Sequence, residues 1–181
     1  MKQKPVDLVS ICTRPEDRAD LIRHLRDYPS IRGAWIEKPL GQVSVPKDWK
    51  VNVNYVRRFD KKHRAIEGRC LNTAEPVYRL WVWAKKDIHT VCHFTDLARF
   101  WGLGRGQFHY FPMDGPASYV AQYADGRTEF FPLGGIESGS DFMVRALSNL
   151  LDAMEGKAEL ESPPENAIES ERWADEILRE P

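Results

Sequence analysis

Two apolar runs separated by a helix-length segment constrain this chain most. Val6-Asp7-Leu8-Val9-Ser10-Ile11-Cys12-Thr13 is rich in β-branched residues and nearly continuous in apolar character. That is the pattern of a strand buried on both faces. Leu21, Ile22, Leu25 and Tyr28 then recur at helical spacing and give one apolar face. Thr13 is suited to cap that helix, with Pro15, Glu16 and Asp17 in its first turn. Gly33 opens a second strand that the pattern carries to Leu40. Strands joined by a helix of this length pair in parallel through a right-handed crossover. The unit closes on Trp35-Ile36-Glu37-Lys38-Pro39-Leu40-Gly41, and ligands of open parallel sheets bind beyond the carboxyl ends of the strands. Lys38 therefore stands where it can act on a substrate. No glycine-rich phosphate loop precedes the unit, so the expectation is half of a cofactor-binding domain.

The pattern changes after Gly41. Trp49 to Arg58 alternates apolar and polar residues, which predicts a strand with one face exposed. A charged helix is expected over 59–67, a strand over 76–83 and an amphipathic helix over 88–101. Three strands follow at 108–111, 118–123 and 128–133, with Asp125-Gly126 as a hairpin turn between the last two. A helix over 142–154 places Met143, Leu147, Leu150, Leu151 and Met154 on one face. Ser162-Pro163-Pro164 breaks the chain before a final polar helix carrying Ile168, Trp173 and Ile177. The fold class expected is α/β plus α+β. A partial Rossmann βαβ unit, residues 1–44, precedes a predominantly antiparallel sheet with helices on one side, residues 45–181.

Composition narrows the function classes. With 181 residues, 42% hydrophobic and 29% charged, the chain can bury one good core. A net charge of −1 argues against a general nucleic-acid binder. No apolar stretch approaches the ~20 residues of a membrane span, and the N-terminus leaves no room for a signal peptide. Cys12, Cys70 and Cys92 lack paired spacing and fit reduced thiols, so a cytoplasmic protein is expected.

Four segments in order resemble the Gfo/Idh/MocA oxidoreductases, named for glucose–fructose oxidoreductase, inositol dehydrogenase and a rhizopine catabolism protein. They are the run Val6 to Thr13, with Arg18 where that family commonly has histidine; Glu37-Lys38-Pro39-Leu40; Val53-Asn54-Tyr55-Val56-Arg57-Arg58-Phe59-Asp60; and His93-Phe94-Thr95-Asp96-Leu97-Ala98-Arg99-Phe100-Trp101-Gly102. The resemblance implies a Rossmann domain followed by an α+β domain whose open sheet supports a homo-oligomer. It implies NAD or NADP as cofactor and hydride transfer on a sugar, polyol or sugar derivative. By the same resemblance, Lys38 matches the lysine of the Glu-Lys-Pro motif and His93 the catalytic histidine. Glu37 and Pro39 match positions lining the nicotinamide ribose, and Thr13 matches a residue beside the cofactor. The departures are the missing Gly-x-Gly-x-x-Gly turn, His89 at a position often Asp, and a short stretch between Asp60 and His93.

Hydride transfer from an alcohol requires a base at the hydroxyl, and lysine serves when burial and neighbouring charge lower its pKa. His89 and His93 lie four apart and share one helix face. Cys92 and His109 could be added as metal ligands, but His89 is followed by Thr90 rather than glutamate, and no metal is expected. Gly102-Leu103-Gly104-Arg105-Gly106 follows a helix and leads into a strand, the reverse of a dinucleotide site, and reads as a helix stop. Arg57 and Arg58 read first as a solvated or salt-bridged surface and second as an anion site. Trp81 and Trp83 read as sheet packing, and Cys12 and Cys92 as small core residues. Two functions stay open: an oxidoreductase whose missing half comes from a partner or further segment, or a non-catalytic homologue serving as a sugar-binding or oligomerisation module.

Overall fold

The computed structural model describes residues 5–72, 76–132 and 141–180. Strand β1 (Leu8–Ile11), helix α1 (Pro15–Leu25) and strand β2 (Gly33–Ile36) form the expected parallel βαβ unit. Helix α1 starts from Arg14 with no side-chain cap, so Thr13 does not cap it. Pro15, Glu16 and Asp17 do occupy the first turn. The helix stops before Tyr28, which is 51% exposed rather than part of the apolar face. Strand β2 is also shorter than the apolar pattern, ending at Ile36, and the Lys38–Pro39 peptide beyond it is cis.

Strand β3 (Lys50–Val53) differs more from expectation. It pairs in parallel with β2, giving the order β1-β2-β3, and Val51, Asn52 and Val53 are all buried. Its alternation of Val and Asn marks two buried faces, one of which accommodates a polar side chain. The link between β2 and β3, residues 37–49, contains no helix. A 3-10 turn (Val56–Phe59) follows, and helix α2 (Lys61–Asn72) begins after it instead of at Phe59.

Strand β4 (Val77–Ala84), helix α3 (Ile88–Phe100) and strands β5 (Phe108–Pro112), β6 (Ser118–Tyr123) and β7 (Thr128–Pro132) follow the sequence pattern closely. Leu133, expected to end the last strand, lies outside the described residues, as does the side chain of Cys70. The second sheet has the order β5-β4-β6-β7. The β4–β5 pair is parallel and the other two pairs are antiparallel, so the sheet is mixed. Gly102, at φ +76, stops α3, and the glycine-rich stretch after it forms a loop and a 3-10 turn leading into β5.

Strand alternation sorts the core. On one face of the parallel sheet, Ala34 and Ile36 join Ile22 of α1 in the main core, which continues through α3 to Leu80, Val82 and Tyr119 of the second sheet. On the other face, Trp35 packs with Phe59 and with Ala146 and Leu150 of helix α4 (Asp141–Met154). Helix α4 buries Ala146, Asn149, Leu150 and Ala153, so of the predicted apolar stripe only Leu150 is fully buried. Met143, Leu147 and Leu151 face outward with Val144, which is 61% exposed. Small residues let the helix approach the sheet, and the bulky ones remain beside the open edge of β1. Helix α5 (Pro164–Arg179) lies against α3, with Thr95 Oγ1 donating to the Ser170 carbonyl at 2.7 Å. Ile168 of α5 is exposed, whereas Ile177 is buried. Cys92 is buried as expected, whereas Cys12 is exposed. Among the described residues no helix is long and apolar enough to cross a membrane.

Candidate active site

Chain turns beyond β1, β2 and β3 meet the first half of α3, and the residues singled out by sequence gather there. The Lys38 ammonium donates to the His89 carbonyl at 2.6 Å, so the turn after β2 is tied to the start of α3. Asp87 caps that helix, accepting from the Thr90 amide at 2.8 Å. The His89 side chain is exposed and borders a cleft of about 760 Å³ that Glu16, Pro39, Gly41 and Glu171 also line. One turn further along α3, His93 is largely enclosed. Burial pushes its imidazole well below the usual histidine range, and the charges of Arg57 and Lys38 push in the same direction. It is therefore neutral at pH 7, and its Nδ1 has no hydrogen-bond partner. Its ring meets Tyr55 edge-on at 5.9 Å.

The other sequence-selected residues surround this pair. Glu37 accepts from the Asn54 side-chain amide, and its own amide continues the sheet by donating to the Ile11 carbonyl at 3.0 Å. The Thr13 hydroxyl is buried without a partner, while its carbonyl accepts from Arg18 at 2.6 Å. Arg18 also donates to the carbonyls of Pro39 and of Leu40, the latter at 3.0 Å, so one guanidinium joins the ends of β1 and β2. Only 1% of Arg18 is exposed, and burial lowers its pKa.

Glu171 and His63 were not read from sequence as parts of a site, and Arg57 and Arg58 only as a second reading. Glu171, on α5, accepts from the amides of Leu40 and Gly41 and from the Tyr55 hydroxyl. No local motif marks it, since its partners lie more than a hundred residues away. Arg57 and Arg58 are buried, which corrects the surface reading. Arg58 grips Asp96 through two hydrogen bonds of 2.8 and 2.7 Å. Arg57 lies over the Phe94 ring at 5.1 Å, with its Nε and Nη1 unpartnered. Finally, His63 is buried between the Arg57 carbonyl and the Tyr119 hydroxyl, and burial pushes its pKa down to about 4. The charged helix read over 59–67 gave no sign of this.

His109 is not near His93: it stacks on Trp81 at 6.0 Å within the second sheet. Among the described residues no three His, Cys, Asp or Glu side chains are grouped to hold a metal. The fit to a dinucleotide is partial. Glu37 and Pro39 flank Lys38 in the chain, and Arg18 ties the Thr13 carbonyl to the same turn. A pyrophosphate needs exposed amides at a helix N-terminus, and α1 offers Pro15, which has no N–H, followed by Glu16 and Asp17. Among the described residues, the start of α1 therefore offers no set of free amides to a pyrophosphate.

No protein-family model matches the chain, and no curated protein sequence does. Solved structures do. The UDP-N-acetylglucosamine 3-dehydrogenase GnnA from Acidithiobacillus ferrooxidans matches with a TM-score of 0.63 at 12% identity, over 96% of this chain and 77% of that one. A myo-inositol dehydrogenase from Corynebacterium glutamicum ATCC 13032 gives 0.60 at 13% identity, over 97% and 78%. The myo-inositol dehydrogenase from Lactobacillus casei in complex with NAD(H) and myo-inositol gives 0.57 at 10% identity, over 94% and 74%. At these identities the likeness is one of architecture, and by that measure this chain has the fold of the Gfo/Idh/MocA-type dehydrogenases.

Proposed function

We propose that this chain carries the substrate-side half of a dehydrogenase site for a sugar, polyol or sugar-derivative hydroxyl. The observation that carries the reading is that the Lys38 ammonium is tied to the His89 carbonyl, one turn before His93, whose neutral ring keeps an unpartnered Nδ1. Oxidation of an alcohol separates a hydroxyl proton from a hydride. Lys38 contacts the substrate oxygen and leads the proton transfer, with His93 as its partner and His89 at the mouth of the cleft. A nicotinamide dinucleotide, NAD or NADP, supplies the hydride acceptor in that chemistry, with Thr13, Glu37 and Pro39 beside its ribose.

The phosphates of that cofactor need a receiver from outside the described residues. The free edge of β1 suits such an addition. Beside it runs a groove of about 480 Å³ lined by Leu8, Val9, Trp35, Met143, Val144 and Leu147. An added strand there, from a partner or a further segment, would pair with β1 and cover that apolar wall. The outer face of the second sheet supports self-association into a homo-oligomer. Trp83 stacks on Phe111 at 5.3 Å, and Phe130 is 62% exposed.

Titrating the purified chain with NADH and NADPH, followed by fluorescence, tests the half-site reading. The expected result is no saturable binding in the micromolar range by these residues alone. Micromolar binding that Lys38→Ala weakens would overturn the half-site reading and establish a complete cofactor site. The non-catalytic alternative differs in one respect: it keeps any sugar binding in Lys38→Ala.

A further inference from the structure

We propose that Glu171 is a positioning residue that sets both Lys38 and His93, an inference that rests on the site reading above. The turn holding Lys38 belongs to a link between parallel strands that contains no helix. Regular secondary structure therefore does not satisfy its backbone, although Leu40 is fully buried. Buried amides and carbonyls need partners, and here side chains from two helices provide them. Arg18 of α1 donates to the carbonyls of Pro39 and Leu40, and Glu171 of α5 accepts from the amides of Leu40 and Gly41. The turn is thus held between a cation and a carboxylate, two residues from Lys38.

Glu171 has a second reach that a simple anchor would not need. Its Oε1 also accepts from the Tyr55 hydroxyl at 3.0 Å, and Tyr55 presents its ring edge-on to His93. One carboxylate therefore touches the turn that carries Lys38 and the aromatic ring that borders His93. Burial raises the pKa of this acid, and the two amides, Tyr55 and Arg18 oppose the rise. Removing the carboxylate takes the acceptor from the Leu40 and Gly41 amides and one acceptor from the Tyr55 hydroxyl, and both site residues lose a fixed support. Glutamine keeps one acceptor oxygen but turns an NH₂ toward a remaining donor, so it should support the turn incompletely.

The test reads Lys38 and His93 directly. Lysines are reductively methylated with ¹³C-formaldehyde, and the Lys38 resonance is assigned by its loss in Lys38→Arg. The His93 ring is followed by long-range ¹H–¹⁵N correlation. Melting temperatures and circular dichroism report folding separately. In Glu171→Ala the Lys38 signal should move onto those of the exposed lysines and the His93 ring signals should shift. Glu171→Gln should show smaller displacements of both. Tyr55→Phe, which removes only one arm, should move His93 and leave Lys38 in place. An unmoved Lys38 resonance in a folded Glu171→Ala or Glu171→Gln protein, with only the melting temperature lowered, overturns the proposal. Should the alanine variant fail to fold, the glutamine and Tyr55→Phe variants carry the same test. The readout needs neither substrate nor cofactor. A displaced Lys38 in a chain that binds no sugar or polyol would leave the positioning role standing and remove the dehydrogenase reading.

Discussion

The two sheets are unfinished in different ways. In the parallel sheet β2 is buried along its whole length, and what remains open among the described residues is backbone: the outer edge of β1. In the mixed sheet, Leu80, Val82 and Ala84 of β4 face the core while Trp81 and Trp83 lie on the other face, half-buried. What remains open there is side chain: an aromatic face with Phe111 and Phe130 at its sides. A backbone edge accepts a strand, whereas a flat aromatic face accepts another surface. The candidate site lies at the carboxyl ends of the parallel strands, where α3, shared with the core of the mixed sheet, brings His89 and His93 to Lys38.

The joint between the two regions should be the most sensitive point. Arg58, in the turn after β3, and Asp96, on α3, are both buried, and Arg58 also donates to the Glu161 carbonyl at 3.0 Å. Asp96→Asn leaves a buried guanidinium without its carboxylate and should cost about 3–5 kcal/mol, read as a lower urea midpoint. A loss below ~1 kcal/mol would mean the regions hold together without this pair.

Acid should come next. Folded His63 resists protonation down to about pH 4, whereas the unfolded chain takes up that proton near pH 6.5. Stability should therefore fall as pH drops from about 6.5 toward 4, by on the order of 3 kcal/mol from this residue, and level off below. His93, lowered by the same burial, adds to the loss. In His63→Asn the slope of urea midpoint against pH should be shallower over that window, whatever the variant costs at pH 8. An unchanged slope would show that His63 is not held neutral.

Two smaller effects separate the open surfaces from the site. Gly41 has φ +74, and an added Cβ would lie 3.0 Å from Pro15 Cβ. Gly41→Ala should cost about 1–2 kcal/mol and disturb the turn that Glu171 and Arg18 hold. Phe130→Glu, on the exposed aromatic face, should change stability by less than ~0.5 kcal/mol. In sedimentation velocity it should lower self-association; an unchanged distribution of species would remove this face as the oligomer surface.

What was legible in the sequence divides along the same line. The continuous apolar run of β1, the strand runs of β4 and β6 and the Asp125-Gly126 turn specify local structure by residue type and turn chemistry, and all three formed. That Lys38 and His89 belong together came from the family resemblance rather than from any local pattern, and in the fold the Lys38 ammonium donates to the His89 carbonyl. Residues whose roles depend on distant partners were not. Arg57 and Arg58 look like surface until Asp96 and Phe94 are in place, and Glu171 looks like one more polar position on α5. The stripe on α4 misled because helical period shows that a face is apolar, not which apolar face meets the sheet. Met143, Leu147 and Leu151 lost that contact to Ala146 and Ala153.

The central claim is that Lys38 and His93 form a hydroxyl-binding site in this chain. Saturation-transfer NMR of the purified protein with myo-inositol and with UDP-N-acetylglucosamine tests it most directly, alongside folded Lys38→Ala and His93→Ala variants. The account predicts transfer to the ring protons of at least one of these ligands, lost in both variants. Binding of neither ligand, or binding that survives both substitutions, would contradict it.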